Sequence, residues 1–553
     1  MPRRSRGNFL RRWGEEYRMA KRTVFDADGK TTRMIERPWG KRLALGFLIL
    51  PFLYVAIMKL WIALHLLMVH NDTTFPEGAN VYAFLTILQT GHLYSHPFNF
   101  PWNGEWYGPL YYLIGATTTW IFKGDIFITT VAFRALSLIA FAASLVILAR
   151  MAFLLERLRF LSILVLIMGF GCIWAEGWTT SARPDMLSIF FFTCALMLSL
   201  DEHHTNLQPF LAGVLASVSF LCKQSTAPLF FALLICILLE KKPRKVALTA
   251  VGALPLSAII MCFIWLRHEP IYENYSALGQ VIKNWSTLPI SILNLLRTNQ
   301  IALIPLSIAA LGMLLSIKSP RYRTPLLVTL AAWAFGLIGL VNAGAGTNYL
   351  ILPYWLSLVF IPPALLWLEQ SKGPFKVTYM VLGLLGILLA FHQRKIIFHD
   401  LPASLNTKPI HDWTMLSDIS YLEINSRKPQ LLDAFAYHEF QIKGLWKPWE
   451  VTQTVQAGGY DLIIFTGADS VDGKGFEVSG YRGISLWGDE TLQSAIRNYR
   501  VLCEVGDAKA GVHHLILVPQ GKENTVRASD IATVFNSPCY ASDRTPQLAP
   551  GMH

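Results

Sequence analysis

Long apolar runs recur along most of this sequence. A membrane-spanning helix needs about 20 apolar residues to cross a hydrocarbon core that is roughly 30 Å thick. Runs approaching that length, separated by polar segments, predict eleven spans. The predicted spans lie near residues 44–68, 131–151, 160–175, 186–200, 208–222, 227–240, 247–266, 300–317, 325–341, 349–367 and 375–391.

Two further apolar segments are short for a span. They cover residues 79–90 and 109–122, in the polar stretch that follows the first predicted span. Short apolar helices of this kind suit the membrane surface better than its interior. We therefore expect two surface helices in the first loop.

The last part of the chain has a different pattern. Within it, GLWKPWEVTQTVQAGGYDLIIF predicts a helix, a Gly-Gly turn and a buried strand. The expected fold class is a polytopic α-helical membrane protein with about eleven transmembrane helices and a C-terminal α/β domain. The predicted parts are a basic arm (1–43), a transmembrane domain (44–391) and a soluble domain (392–553).

Composition agrees with a membrane protein, because 53% of the residues are hydrophobic, only 15% are charged and the mean hydropathy is +0.40. The formal charge of +12 does not indicate a nucleic-acid partner, since membrane proteins concentrate Lys and Arg in cytoplasmic loops. Thirteen Lys or Arg precede residue 44, and the apolar run after them is too long for a signal peptide.

Charge also predicts the orientation. The segments predicted to face inward hold 25 Lys or Arg, whereas the outward loops between spans hold 6. This asymmetry predicts a cytoplasmic N-terminus. Because the number of predicted spans is odd, residues 392–553 should lie outside the membrane on the opposite face.

Six of the charged residues on the predicted outer side are candidates for chemistry there. They are Asp72, Glu77, Glu105, Arg183, Asp185 and Lys223. A carboxylate base can take a proton from an acceptor hydroxyl, and cations can stabilise a departing phosphate. The combination favours group transfer from a lipid phosphate at the outer surface.

Each of these residues also has a purely structural interpretation. Arg183 and Asp185 could form a local pair or a helix cap around Pro184. Lys223 could lie at the end of a span, with its alkyl chain along the apolar surface and its ammonium group extended into water. Glu77 could be stabilised by the macrodipole of the helix that it begins.

Five stretches carry a family resemblance. They are FPEGANVYAFLTILQTGHLYSHPF, YGPLYYLIGA, ARPDMLSIFFFTCALML, LCKQSTAPLFFALLICILL and GTNYLILPYW, in this order. Together they resemble the GT-C superfamily of membrane-embedded glycosyltransferases, especially bacterial members related to protein O-mannosyltransferases and the aminoarabinose transferase of lipid A. The similarity covers about residues 44–391, and the C-terminal part resembles the extracytoplasmic domain of some members.

The resemblance implies a polyprenyl- or dolichyl-phosphate-linked sugar donor, surface helices in the first outer loop and a catalytic carboxylate there. Glu77, in the PEG motif, best matches that acid and is the candidate general base. Asp72 is the second candidate, because some relatives place an Asp near the end of the first span.

The other motifs imply further site residues. Arg183 and Asp185 match an RPD motif, and Lys223 and Gln224 match a KQ motif. These four are assigned to the donor phosphate or to the architecture of the site.

Three more residues are candidate substrate contacts: Tyr107, Asn348 and Tyr349. Similar proteins often carry an acid shortly after the Asn-Tyr pair, whereas Leu350, Ile351 and Leu352 follow it here. A role for an acid at that point is therefore not expected.

The predicted reaction is a single displacement with inversion, in which the acceptor hydroxyl attacks the anomeric carbon and lipid phosphate leaves. A divalent metal (Mg²⁺ or Mn²⁺) could bridge the acids and the phosphate, although no pattern of residues fixes one. The expected acceptor is an envelope glycan, lipid or protein, and the expected location is a bacterial inner membrane.

Two other classes of function are alternatives to a glycosyltransferase. A flippase or transporter of lipid-linked sugars would also gather charges in a cavity, and a non-catalytic scaffold would use the outer domain for binding. Inverted repeats typical of transporters are not found in the sequence. With an external tail, Cys503 and Cys539 could form a disulfide or remain two free thiols.

Overall fold

The computed structural model describes most of residues 38–548. The undescribed positions within that range are 74–76, 101, 171–175, 201–205, most of 280–298, 342–346, 371–374, 400–403, 432–436, 438–439, 442–443, 470–474, 479–488, 508–511, 523–524 and 543–544. The predicted basic arm lies outside the described residues as far as residue 37.

Helices dominate the described chain up to residue 399. In chain order they are α1 (Pro38–Leu67), α2 (Glu77–Thr90), α3 (Pro109–Ile121), α4 (Ile126–Glu156), α5 (Arg159–Phe170), α6 (Glu176–Thr179), α7 (Asp185–Leu200), α8 (Leu207–Cys222), α9 (Ala227–Leu239), α10 (Pro243–Leu266), α11 (Ile271–Gly279), α12 (Leu303–Ser316), α13 (Arg323–Gly339), α14 (Ile351–Leu358), α15 (Ile361–Gln370) and α16 (Phe375–His399).

The apolar helices make this chain a multi-pass membrane protein. In the described part of the chain, five stretches are long and apolar enough to cross a bilayer, namely Ala44–Leu67, Ile126–Glu156, Pro243–Leu266, Pro320–Gly339 and Asn348–Gln370. Five of the other six predicted spans coincide with apolar helices of 10–17 residues, which are shorter than the roughly 20 residues that a straight crossing needs. The sixth, at 375–391, lies within α16, in which the apolar part that meets the description is Val377–His392. The number of eleven spans therefore stays a prediction.

The predicted span at 349–367 is divided into two helices, α14 and α15. The division falls just before Pro362 and Pro363, which occupy the first turn of α15. Proline lacks the backbone N–H that a continuous helix needs, but it is tolerated in the first turn, where that N–H has no partner within the helix.

Apolar side chains cover the outside of the helical part as well as its core. On α1, Ile57 and Trp61 are exposed whereas Val55 and Leu66 are buried. A large exposed apolar surface is unfavourable in water but matches the hydrocarbon of a bilayer.

The two predicted surface helices are α2 and α3, which begin and end close to the expected positions. Phe84 on α2 packs against Tyr111 on α3 and Phe133 on α4, with ring centroids 5.3 and 5.2 Å apart. These three rings are fully buried. The first loop is therefore packed on the helical core of the protein, and this packing fixes the chain on either side of α2.

The C-terminal part contains one mixed sheet with short helices. Its strands are β1 (Met415–Ser417), β2 (Leu462–Asp469), β3 (Gly475–Val478), β4 (Tyr499–Asp507), β5 (Val512–Pro519) and β6 (Thr545–Leu548), and its helices are α17 (Ser420–Ile424), α18 (Trp449–Gln456), α19 (Asp489–Asn498) and α20 (Ala528–Phe535). The strand order is β4-β5-β2-β3-β6, and β1 pairs with β2 in parallel.

The local elements predicted for this region are present. Helix α18 is followed by Gly458, whose φ of +60° suits glycine, and then by strand β2. The structure also joins Cys503, on β4, to Cys539 in a disulfide, with Cα atoms 5.5 Å apart.

Glycines set the closest approach between two helices, α8 and α10. A Cβ added to Gly252 on α10 would overlap the carbonyl oxygen of Phe210 on α8, and a Cβ on Gly213 would overlap the carbonyl oxygen of Thr249. Small residues of this kind let membrane helices pack backbone to backbone.

We expect Gly252→Ala to destabilise the protein by about 1–3 kcal/mol, because the added methyl group separates the two backbones. Thermal unfolding of the purified protein in detergent measures this change. Gly46→Ala is the matched control, since nothing lies within 4 Å of a Cβ at that helical position. Equal melting temperatures for the two variants would contradict the proposed contact.

Candidate active site

Asp185 lies at the centre of a buried ionic cluster. It is the first residue of α7, where unpaired N–H groups and the helix dipole favour a carboxylate. Its Oδ1 accepts hydrogen bonds from the Lys223 ammonium group and, at 2.8 Å, from Asn348 Nδ2, and its Oδ2 lies 3.4 Å from Arg183 Nε. Two cations, Arg183 and Lys223, therefore share one carboxylate. All four side chains are buried.

Aromatic rings face both cations. The guanidinium carbon of Arg183 lies 4.4 Å from the centroid of the Trp178 ring and 5.5 Å from that of Tyr107. The Lys223 ammonium lies 4.9 Å from the centroid of the Tyr349 ring. Cation–π contacts of this type stabilise a buried positive charge without neutralising it.

Lys223 stands at a break between two helices. It ends α8 with an extended backbone (φ −145°, ψ 112°), and the short 3-10 helix Gln224–Thr226 then leads into α9. Gln224 Nε2 donates to the carbonyl oxygen of Trp106 at 2.6 Å. The break is thereby attached to the first loop.

A second contact joins the first loop to the same break. The Gly108 N–H donates to the carbonyl oxygen of Cys222 at 3.1 Å, and a Cβ at Gly108 would overlap the carbonyl group of Leu221. Glycine is therefore required for this close approach. The contact holds Tyr107, the preceding residue, against Arg183.

Glu77 and Arg134 form a second buried ionic cluster. Glu77 begins α2, and Arg134 lies on α4; Nε of the guanidinium donates to Oε1 at 2.9 Å and one terminal nitrogen donates to Oε2 at 2.7 Å. Arg134 also donates to the carbonyl oxygens of Leu66, Val69 and Asn71. This one side chain joins the end of α1, the following loop and the start of α2.

The Glu77 carboxylate accepts three more hydrogen bonds. They come from the backbone N–H of Thr73 at 2.8 Å, from Thr73 Oγ1 at 3.0 Å and from the backbone N–H of Ala182 at 2.6 Å. An ionised carboxylate offers about four lone-pair positions. With the two bonds from Arg134, its accepting capacity is therefore filled.

Asp72 has fewer partners. Its Oδ1 accepts from the backbone N–H of Gly78 at 2.7 Å, and its Oδ2 accepts from Ser420 Oγ at 2.7 Å and from the Tyr421 N–H at 3.0 Å. Burial and the nearby Glu77 carboxylate raise the pKa of Asp72 to about 6, although these three hydrogen bonds act in the opposite direction.

The two clusters are connected through residues 180–183. Thr73 Oγ1 donates to the carbonyl oxygen of Thr180 at 3.0 Å, and the N–H of Ala182, bound to Glu77, belongs to the residue directly before Arg183. The hydroxyl of Tyr111 on α3 donates to the carbonyl oxygen of Ala182 at 2.7 Å. The carboxylates of the first loop therefore belong to one packed region with Arg183 and the cluster around Asp185.

Several residues predicted from the sequence thus lie together. Arg183, Asp185, Lys223 and Asn348 are in direct contact, Tyr107 and Tyr349 face the cations, Gln224 binds the first loop, and Asp72 and Glu77 occupy the neighbouring cluster. Their roles in binding or catalysis stay predictions.

The residues of this region that were not predicted from the sequence include Arg134, Trp178, Ser420 and Tyr421. Arg134 had a signal, because a charged residue inside a predicted span (131–151) is expensive and calls for a partner. Ser420 and Tyr421 had none, since ordinary residues far along the chain carry no pattern that links them to Asp72.

Glu105, the remaining acid of the first loop, has its own environment. Its Oε2 accepts from Ser95 Oγ at 2.8 Å and from the Ser95 N–H, and its own N–H donates to Asn274 Oδ1 at 3.3 Å. Burial raises the pKa of Glu105 to about 7.

A divalent metal was one option from the sequence. Within the described part of the chain, no group of three or more His, Cys, Asp or Glu side chains is placed to hold a metal ion. Asp72 and Glu77 instead accept N–H and O–H groups, so these carboxylates do not fit a metal-ligand set as they stand.

The fold and the site together define a multi-pass helical membrane protein with two adjoining buried ionic clusters, one around Asp185 and one around Glu77. No protein-family model matches the chain, and no curated protein matches it. The solved structures of two proteins are similar to it at low sequence identity.

One is ArnT from Cupriavidus metallidurans, bound to undecaprenyl phosphate; it is 12% identical, with a TM-score of 0.48 over 83% of this chain and 97% of that one. Its apo structure is 11% identical, with a TM-score of 0.47 over the same shares. The other is the archaeal oligosaccharyltransferase AglB from Archaeoglobus fulgidus, in complex with an inhibitory peptide and a dolichol-phosphate; it is 11% identical, with a TM-score of 0.46 over 85% and 76% of the two chains. Similarity at this level does not assign the activity of those proteins to this chain.

We expect Glu77→Gln to lower the free energy of unfolding by about 3–5 kcal/mol, because it leaves the buried Arg134 guanidinium without its counter-charge. Thermal unfolding in detergent, together with the yield of monodisperse protein, measures this loss. Glu273→Gln, at an exposed position on α11, is the control and should behave like the unmodified protein. A fully stable Glu77→Gln variant would show that the ion pair is dispensable for folding.

Proposed function

We propose that this protein is a glycosyltransferase that moves a sugar from a polyprenyl-phosphate-linked donor to an envelope glycan, lipid or protein acceptor. The reaction would take place on the outer face of a bacterial inner membrane, with the N-terminus cytoplasmic. The observation that carries the proposal is the buried cluster in which Arg183 and Lys223 share Asp185. The wider region adds a buried carboxylate with a raised pKa, which is a second component that group transfer needs.

The cluster has the electrostatics of an anion site. Arg183, Asp185 and Lys223 together carry one positive charge, and all three are buried. A phosphodiester such as the lipid-linked donor brings one negative charge, which is opposite in sign to the charge of this cluster. Hydrogen bonds between Arg or Lys and a phosphate are among the stronger ones in proteins.

The surroundings also suit a sugar-phosphate. Trp178, Tyr107 and Tyr349 present aromatic rings beside the two cations. Asn348 has its amide nitrogen committed to Asp185, so its oxygen is the atom available as an acceptor for a sugar hydroxyl. We assign Arg183 and Lys223 to the donor phosphate, and the rings and Asn348 to the sugar.

Of the two acids predicted as the base, the contacts favour Asp72 over Glu77. Glu77 is fully engaged with Arg134, Thr73 and Ala182, and protonating it would break a buried ion pair. Asp72 keeps unused accepting capacity on Oδ1, and its pKa of about 6 is close to a physiological pH, which is where a general base works best.

In the proposed step, Asp72 takes the proton of an acceptor hydroxyl while that oxygen attacks the anomeric carbon of the donor. The bond between that carbon and the phosphate oxygen breaks, and its electron pair leaves with the lipid phosphate. Arg183 and Lys223 stabilise the charge that develops on the leaving phosphate. A single displacement of this kind inverts the anomeric configuration.

We expect Lys223→Ala to weaken the binding of undecaprenyl phosphate by about 10- to 100-fold, the usual effect of removing one hydrogen bond to a charged group. Binding to the purified protein in detergent is the measurement. Lys318→Ala, which removes an exposed lysine elsewhere, is the control. Unchanged affinity in Lys223→Ala would remove the phosphate site from the proposal.

With a suitable donor and acceptor, kcat/KM should fall below a midpoint near pH 6, because the base works only when it is deprotonated. Asp72→Asn should reduce transfer by about 10²- to 10⁴-fold and abolish that limb. The measurement is transfer of labelled sugar across a pH series. An Asp72→Asn variant with full activity would exclude Asp72 as the base.

A further inference from the structure

Asp72 lies in the first loop, but two of the groups that donate hydrogen bonds to its carboxylate belong to the C-terminal part of the chain. Ser420 Oγ and the Tyr421 N–H both donate to Asp72 Oδ2, at 2.7 and 3.0 Å. Ser420 and Tyr421 form the first turn of α17, directly after strand β1 of the C-terminal sheet. The contact therefore spans 348 residues of sequence.

The two backbones approach each other closely at this point. A Cβ added to Gly78 would lie 2.7 Å from the carbonyl carbon of Ser420 and 2.8 Å from the Tyr421 nitrogen. No side chain larger than hydrogen fits there without displacing backbone. The start of α2 thus packs against the start of α17, and the Asp72 carboxylate lies between them.

Other contacts hold the same two regions together. The Trp102 N–H donates to the carbonyl oxygen of Gln430 at 3.0 Å, the Tyr437 hydroxyl donates to the carbonyl oxygen of Pro97, and the rings of Trp102 and Trp446 pack with centroids 5.5 Å apart. Since these contacts do not involve Asp72, docking of the C-terminal part does not depend on the Ser420 hydroxyl alone.

We propose that Ser420 is a positioning residue, through which the C-terminal part of the chain orients the Asp72 carboxylate and keeps it ionised for proton transfer. The proposal rests on the proposed function, in which Asp72 is the base. It gives the C-terminal region a direct share in the chemistry, in addition to any role in binding an acceptor.

The charged and titratable groups around Asp72 define what Ser420 adds. Glu77, on α2, opposes ionisation of Asp72 by like-charge repulsion, whereas Arg134, on α4, favours it. The Tyr421 phenol on α17 interacts with both carboxylates, and its own pKa is raised by burial. The Ser420 O–H donates to the charged form of Asp72, so its loss makes protonation easier.

The test is the pH dependence of transfer by the full-length protein with Ser420→Ala. Removing one hydrogen bond to the charged carboxylate should move the acidic midpoint of kcat/KM upward by about one pH unit. Transfer at pH 6 should therefore fall several-fold, whereas the rate on the alkaline plateau should change much less. A merely structural loss would lower the rate at every pH and leave the midpoint in place.

Two variants control this experiment. Ser420→Thr keeps the hydroxyl and should restore the midpoint even if its added methyl group lowers the rate. Ser426→Ala removes a hydroxyl that donates to the carbonyl oxygen of Glu423, close to α17 but away from Asp72, and should leave the profile unchanged.

The outcomes separate this proposal from the function on which it rests. If Asp72→Asn abolishes transfer while Ser420→Ala leaves the midpoint unmoved, Asp72 is the base but Ser420 does not position it. If Asp72→Asn transfers sugar normally, the assignment of the base itself fails. An upward shift in Ser420→Ala that Ser420→Thr reverses supports the inference.

Discussion

The buried pair of Arg134 and Glu77 is the interaction on which the region around the site depends. One guanidinium group on α4 binds the carboxylate at the start of α2 and three carbonyl oxygens between Leu66 and Asn71. These carbonyls belong to the end of a helix and the loop after it, where backbone acceptors lack partners within a helix. A charge buried at this depth persists only when it is fully paired, so the fold of the loop and the ionisation of the pair support each other.

This arrangement distinguishes Asp72 from Glu77, which the sequence alone left as two candidates for the same role. Two acids five residues apart looked like alternative bases, but their environments differ. Glu77 is saturated by an arginine, a threonine and a backbone amide, whereas Asp72 sits against backbone N–H groups and a serine hydroxyl. The difference in partners gives one carboxylate a structural task and leaves the other free to exchange a proton.

Local pattern predicted the elements better than their connections. Apolar runs and the Gly-Gly turn before β2 act within a few residues, so most helices and the strand appear where they were expected, whereas the division of the span at 349–367 was not predicted. Grouping charged residues by side of the membrane placed Arg183, Asp185 and Lys223 on one side, but it did not predict their contacts. The pairing of Glu77 with Arg134, and of Asp72 with Ser420, depends on tertiary packing between distant segments, which no local period encodes.

The separation of 348 residues between Asp72 and Ser420 has a consequence for biosynthesis. The first loop is synthesised long before α17 exists, and until then the Asp72 carboxylate lacks the hydroxyl and the amide that hold it in the finished protein. Gly78 likewise has no opposing backbone to pack against. The site is therefore completed only when the last third of the chain has been made and docked, so a truncated chain can carry every residue of the first loop and still lack a finished pocket.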